Sequence, residues 1–496
     1  MTSLLEKIRD FESPVVPVLA VVFTVFIVSC MPYRIIGHGY LPKDDVTRHS
    51  AKVVSGKAWS EILVLRGDMR LDSHPGWHAI LGAVHKATKW PPYDLAVFSV
   101  ASLFLLVALV PVFLIKRPEA WILALLILVL FDLGTLYRPL IGRPFLVTTA
   151  YMIAFAAAWR ELRSGPEHGP ARWWGTAAAT VLLAALSTWI HCGWYLLALP
   201  CAALFLAREW RAGIRLSTGS LAGIILGSAL TGHPVGFLVQ TTKHFFLSLG
   251  DTPQRLLVGE FQPAGGDYGF LLVFVLLIMW RFIRNRWDRK VVDGPVFILV
   301  CMCWVLGFIV GRVWNDIGLW VGLVWIAREI EGLLEGGAGF RSLKRLLFST
   351  AAVCVLFLAL TNDANGRWSL YRPEMHITPE TVKDLSWLPG DGGIVYNEDM
   401  FVFYDMFFRN PRANWKYLLG FEPALMPKED LAVLRDIQLK SGDKDAYAPW
   451  VKKMRPGDRL ILRRSSMFEP DIKGLEWKFI ANAVWSGRLP KKKAGR

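Results

Sequence analysis

Val15-Val-Pro-Val-Leu-Ala-Val-Val-Phe-Thr-Val-Phe-Ile-Val-Ser-Cys-Met-Pro-Tyr33 is an unbroken apolar run, and shortly after it comes Gly39-Tyr-Leu-Pro-Lys-Asp44-Asp45-Val-Thr-Arg48-His49. The run has the length that crosses a hydrocarbon core of about 30 Å, and with no small-x-small cleavage site it reads as a first membrane span rather than a signal peptide. The second stretch sets two adjacent carboxylates at the mouth of that span. Carboxylates there lose hydration, and those that persist pair with a cation, bind a ligand or handle a proton. One Asp is explained as a cap for a helix starting at Val46, a role that suits Asp45; Asp44 is then the expected catalytic base.

The chain has 496 residues, of which 53% are hydrophobic, which is too long and too apolar for one ordinary soluble domain. Its 22 Trp fit a polytopic membrane protein, because indoles collect at the membrane-water boundary. The net charge of +15 lies largely in short loops between apolar runs and not on a soluble basic face, so no nucleic-acid partner is expected. All six cysteines, Cys30, Cys192, Cys201, Cys301, Cys303 and Cys354, fall in apolar segments, which implies neither a disulfide framework nor a zinc site.

Apolar windows of span length occur near 15–33, 94–115, 120–136, 143–160, 173–190, 192–208, 218–234, 268–284, 294–312, 316–333 and 344–361, about 11 transmembrane helices in all. The weakest divisions are at His191 and around Trp314, where a re-entrant segment would also fit. With the N-terminus in the cytoplasm, the inner loops hold 17 Lys and Arg and the outer connections after the first long loop hold 5. That bias predicts an inner-membrane protein of a bacterium with its C-terminal part in the periplasm. The expected fold is therefore mainly α, a helical membrane bundle over 1–361 with a long first outer loop at 34–93. A periplasmic α/β domain over 362–496 follows, marked by Gly-Asp and Pro-Gly turns and short alternating runs. The basic tail from Pro490 reads as disordered.

Further candidates lie on the outer side. Asp72 and His74 bring an acid and an imidazole together beside Pro75, and His78 and His85 stand two helical turns apart. Arg138, Arg143 and Arg312 sit at span ends where positive charge is sparse, and Arg makes bidentate contacts with phosphate that Lys cannot, although lipid anchoring would also place them there. Glu260 precedes Pro263 in a loop, and His191 lies between two close spans, followed by Gly193 and Trp194. Asp72, His74, Arg138, Arg143, His191, Glu260 and Arg312 form the expected substrate-binding set. Carboxylates beside a phosphate would suit Mg²⁺ or Mn²⁺, but the set is too loose to assign a metal.

Asp44-Asp45, Ser55-Gly56, His74-Pro75, Gly142-Arg143-Pro144-Phe145 and His191-Cys-Gly-Trp194, in this order, resemble the motifs of the GT-C superfamily of membrane glycosyltransferases. The likeness is to bacterial members that take mannose or aminoarabinose from a polyprenyl-phosphate carrier. It implies a helical bundle, a polyprenyl-phosphate-linked sugar donor, a lipid, glycan or protein acceptor, and contact with membrane lipids. Two positions depart from the family pattern: Asp45 stands where Glu is common and His74 where Lys is frequent. Ala446-Tyr-Ala-Pro-Trp450 is not the Trp-Trp-Asp type signature of oligosaccharyltransferases, which disfavours protein N-glycosylation. On chemistry alone, a polyprenyl-phosphate sugar carries a good leaving group, so one carboxylate base and guanidinium groups for the phosphate suffice, with inversion at the sugar carbon. A secondary transporter and a non-catalytic subunit of envelope polymer assembly are the competing readings.

Overall fold

A computed structural model describes residues 12–131, 135–163, 169–250, 262–263, 268–284, 294–335, 339–371, 377–382, 384–440, 442–464, 468–481 and 483–490. The basic tail after Pro490 lies outside them. The chain is mainly helical and divides into two compact units. The first comprises Met1–Tyr40, Ser99–Pro234 and Glu260–Leu370; the second comprises Leu41–Phe98, Val235–Gly259 and Tyr371–Arg496. The 41–98 and 235–259 segments thus group with the C-terminal residues and not with the apolar helices that flank them in sequence.

Among the described residues, four helices are long and apolar enough to cross a membrane: Val16–Gly37, Pro92–Leu114, Ala171–Ile190 and Leu343–Thr361. A fifth span results if Trp210–Ala229 and Pro234–Leu247 form one broken crossing. The count is well short of 11 because several expected spans fold as shorter helices. Pro118–Phe131 has 14 residues, Leu146–Ala158 has 13, Pro295–Gly307 has 13, and Tyr268–Arg284 and Leu319–Glu335 have 17 each. At 1.5 Å rise per residue, a helix of about 13 residues covers roughly 20 Å, two thirds of a hydrocarbon core.

In the first unit, Leu319–Glu335 is buried at every position from Leu319 to Ala327, the mark of a helix enclosed on all sides. Helices Pro170–Ile190 and Trp210–Ala229 meet along Gly219, Gly223 and Gly227. A Cβ on Gly223 would lie 2.6 Å from the Val181 carbonyl oxygen, and one on Gly227 would lie closer still to that of Ala185. Glycines four apart let the two backbones approach where no side chain fits, and van der Waals contact then holds them. At one end of the bundle Arg345 and Glu119, each only 1% exposed, pair through Nε–Oε1 at 2.7 Å. Two cations counted as inner-loop charges, Arg328 and Arg345, are thus committed to Glu331 and Glu119.

The second unit is built on a five-stranded sheet of order β2-β1-β3-β5-β4, with β1 at Ile394–Asn397, β2 at Lys416–Tyr417, β3 at Arg459–Arg463, β4 at Glu476–Ala481 and β5 at Val484–Arg488. β1 runs parallel to β2 and β3, while β5 is antiparallel to β3 and β4. Helix Met400–Arg409, capped by the Asp399 side chain on the Phe401 N–H, makes the β1–β2 crossover. Trp450, Leu434, Tyr396 and Leu460 form the core behind the sheet. The β2 edge would present unpaired backbone groups, and residues 63–66 cover it. Leu63 bridges Tyr417 in parallel, Val64 N–H donates to the Tyr417 carbonyl at 2.9 Å, and Arg66 N–H donates to that of Leu425 at 2.9 Å. Gly420 permits this approach, since a Cβ there would meet Leu63 at 2.7 Å.

Gly223→Leu is expected to lower stability by about 2 kcal/mol or more, because its side chain would overpack the helix contact. Leu221→Ala, at an exposed position of the same helix, should change stability by less than about 0.5 kcal/mol. Thermal unfolding of the two purified variants checks this.

Candidate functional site

The acidic pair opens helix Asp45–Ser55. Asp44 is the cap, not Asp45: its backbone is extended (φ −151°, ψ −159°) and its Oδ1 accepts from the Asp45 N–H at 2.6 Å. The Thr47 hydroxyl adds a bond to the Asp44 carbonyl at 2.7 Å. The expected order is reversed because the cap must stand outside the helix, and Asp45 is already in its first turn. The helix stops at Gly56, whose φ of +66° is the left-handed conformation that glycine adopts without strain.

Asp45 is a partner rather than a cap. Its Oδ1 receives the Arg48 Nε at 2.6 Å and the Tyr404 hydroxyl at 3.3 Å. Arg48 is 3% exposed and lies 3.9 Å from the centre of the Phe421 ring. Burial opposes its charge, but Asp45, Tyr404 and Glu422 outweigh burial and hold the guanidinium more firmly protonated than usual. Glu422 in turn bonds His244 Nε2.

On the same helix, one turn past Asp45, His49 is fully buried and joins a chain of imidazoles. Asp72 Oδ2 lies 2.5 Å from His78 Nδ1, and His78 Nε2 lies 2.8 Å from His49 Nδ1. Asp72 Oδ1 accepts from the His74 backbone N–H at 2.9 Å and from Trp59 Nε1 at 3.3 Å. The expected Asp72–His74 pairing is therefore a backbone contact, and the imidazole that meets Asp72 belongs to His78. His74 caps helix Pro75–Thr88 and sets its ring edge-on to His49, with centroids 4.9 Å apart. Burial raises the Asp72 pKa, but His78 and the His74 N–H more than reverse this and hold the carboxyl well below its usual range. An ionised Asp72 keeps the proton on His78 Nδ1. His78 Nε2 faces His49 Nδ1, so the two rings share one proton. The arrangement can pass a proton from His49 toward Asp72. His85 takes no part; its Nδ1 bonds the Trp90 carbonyl.

The first unit gathers the remaining cations. Trp314–Gly318 forms one turn of π-helix, a distortion frequent at functional sites, and it presents Asp316, which is 5% exposed. Arg138 grips Asp316 with two bonds of 2.6 Å, and Arg312 Nε reaches it at 3.2 Å. Arg312 also lies 4.8 Å from the Phe145 ring centre. Phe145 stands edge-on to His191 at 4.9 Å, and His191 Nδ1 lies 3.2 Å from the Thr148 hydroxyl. A Cβ on Gly193 would lie 2.7 Å from the His191 ring, which explains a glycine at that corner. Arg143 is half-buried in the turn that leads into helix Leu146–Ala158. Glu260 lies outside the described residues.

Sequence reading missed His49, Tyr404 and Asp405. The four-residue spacing of Asp45 and His49, and of His74 and His78, was a legible sign that each pair shares a helix face. Nothing local announced Tyr404 or Asp405. No protein-family model matches the chain, and no curated protein matches it in sequence.

Asp405 follows Tyr404 and lines a cleft with Lys43 and Thr47. Its Oδ2 is buried with no hydrogen-bond partner among the described residues. Burial pushes its pKa up from 3.8 to about 6, with partial relief from the Ile377 N–H, Arg409 and Lys43. The folded state therefore binds this proton more tightly than the unfolded chain. The resulting stabilisation is fully present below pH 3.8 and is lost as pH rises through about 6. Asp405→Asn is expected to remove this fall, worth about 2–3 kcal/mol between acid and neutral pH. Melting temperatures of both proteins from pH 4 to 8 check it: the wild-type curve should drop across that window relative to the variant.

Proposed function

We propose that the chain is a membrane glycosyltransferase that moves a sugar from a polyprenyl-phosphate carrier to an acceptor hydroxyl on the periplasmic face of a bacterial inner membrane. The observation that carries this reading is the acidic pair on the first turn of the helix that follows the first apolar span, with Asp44 as cap and Asp45 locked to Arg48. In this reading about 11 crossings are completed by the shorter apolar helices, with the N-terminus cytoplasmic and the second unit outside. The acceptor oxygen attacks the anomeric carbon, the bond from that carbon to the phosphate oxygen breaks, and Asp44 takes the hydroxyl proton. Inversion follows from a single displacement. Arg138 and Arg312, two guanidiniums on one carboxylate, and Arg143 are the groups suited to the leaving phosphate.

A secondary transporter is the second reading, favoured by the Arg138–Asp316–Arg312 cluster on a distorted turn between apolar helices. Solute uptake by proteoliposomes would favour it over transfer.

Asn caps a helix as well as Asp does, so Asp44→Asn tests the base without disturbing the fold. The variant should keep its melting temperature and lose about 100-fold or more in transfer from a labelled polyprenyl-phosphate sugar. Full-rate transfer by Asp44→Asn would rule Asp44 out; if His49→Ala then abolished transfer, the imidazole chain would be the proton acceptor instead. Lipid-linked sugars that accumulate in a strain lacking the protein would name the donor.

A further inference from the structure

The first unit contains an open cleft whose lining includes Arg160, Arg281, Arg328 and one carboxylate, Glu329. The three guanidiniums come from three separate segments: the 3-10 turn Trp159–Arg163, helix Tyr268–Arg284 and helix Leu319–Glu335. Arg281 Nε pairs with Glu329 at 3.0 Å, and Arg328 is held by Glu331 at 2.6 Å and by the Ala157 carbonyl at 2.5 Å. Glu329 also interacts electrostatically with Arg160 and Arg284. Among the described residues, Arg160, Arg281 and Arg284 thus surround Glu329 while Arg328 is paired with Glu331, an excess of cations that suits a phosphate.

Two further observations bear on what that anion is. Helix Pro295–Gly307 starts at the cavity with Gly294 as its cap and, among the described residues, no side-chain cap, so its positive end adds to the field. The helix that carries Arg281 exposes Leu272, Val275, Leu276, Met279 and Ile283, an apolar face suited to acyl chains. Trp159 and Trp325 line the cavity beside Arg160 and Arg281, as indoles do at the boundary of a membrane. A phosphate that arrives along such a face brings hydrocarbon with it.

We propose that this cavity binds the phosphate headgroup of an anionic membrane lipid. The site is separate from the acidic pair and does not rest on the transferase reading; it would stand even if Asp44→Asn transferred sugar at full rate.

The test uses the full chain purified in a neutral detergent, with phosphatidylglycerol, phosphatidylcholine and inorganic phosphate as probes. Retained lipid is counted by native mass spectrometry and stabilisation is read as a shift in melting temperature. Phosphatidylglycerol should be retained and stabilise, and phosphatidylcholine should do neither. Arg160→Gln removes an exposed cation and leaves the buried pairs intact; the Arg281→Gln, Glu329→Gln double variant removes a pair together. Arg160→Gln should weaken phosphatidylglycerol retention roughly fivefold, and the double variant, which leaves the net charge unchanged, should weaken it less. Arg211→Gln, an exposed cation that does not line the cavity, should change nothing. Stabilisation by inorganic phosphate alone, equal to that by phosphatidylglycerol, would assign the site to a free anion and overturn the lipid. Equal retention of the two lipids, or equal loss in Arg211→Gln, would overturn the site itself.

Discussion

A guanidinium that is 3% exposed must keep its counter-charge, and the second unit is arranged around that demand at Arg48. Removing the partner of a buried charge costs about 3–5 kcal/mol, more than most single contacts in a protein contribute. Asp45 supplies the charge, the Phe421 ring covers the guanidinium face, and Tyr404 holds Asp45 from the other side. Phe421 and Tyr404 both come from the far end of the chain. The buried cation of helix Asp45–Ser55 is therefore covered, and its counter-charge held, only when the C-terminal residues have folded against it. The backbone pairing of Leu63 and Val64 with Tyr417 draws the same two stretches together.

The first unit meets the same demand differently. Asp316 sits on a π-helical turn, where the widened backbone hydrogen bonding re-aims side chains between two apolar helices. Arg138, from the turn Thr135–Leu140, answers it with a bidentate contact, which fixes direction as well as charge. Arg345 and Glu119 repeat the pattern on other helices. Between these ionic points, the packing relies on small residues: Gly219, Gly223 and Gly227 let two backbones touch where lipid-like side chains would gain nothing by association.

What was legible in the sequence is what local chemistry decides. Gly56 as a helix stop, Pro75 as a helix start, His191 at a corner and the acidic pair at a helix mouth all depend on a few neighbouring residues. The span count was not legible, because hydropathy measures how apolar a window is and not where its backbone breaks. The window at 316–333 hides a π-turn at its start, and 143–160 passes from an α-helix into a 3-10 turn. The Asp72–His78–His49 chain depends on how two helices of one loop pack, and Asp405 on burial by residues remote in the chain. Neither has a signature that composition or spacing alone can carry.

The bonding of the two adjacent carboxylates separates their roles. Protonating Asp45 would weaken the contact that neutralises Arg48 and leave a buried cation poorly compensated, at a cost of several kcal/mol. A residue in that position resists taking a proton, so it serves to hold the helix and not to turn over. Asp44 stands outside the helix and makes its cap through Oδ1 to a backbone N–H, with no part in the contact that neutralises Arg48. In the proposed transfer, that difference favours Asp44 as the base, with Asp45 holding the helix that carries it.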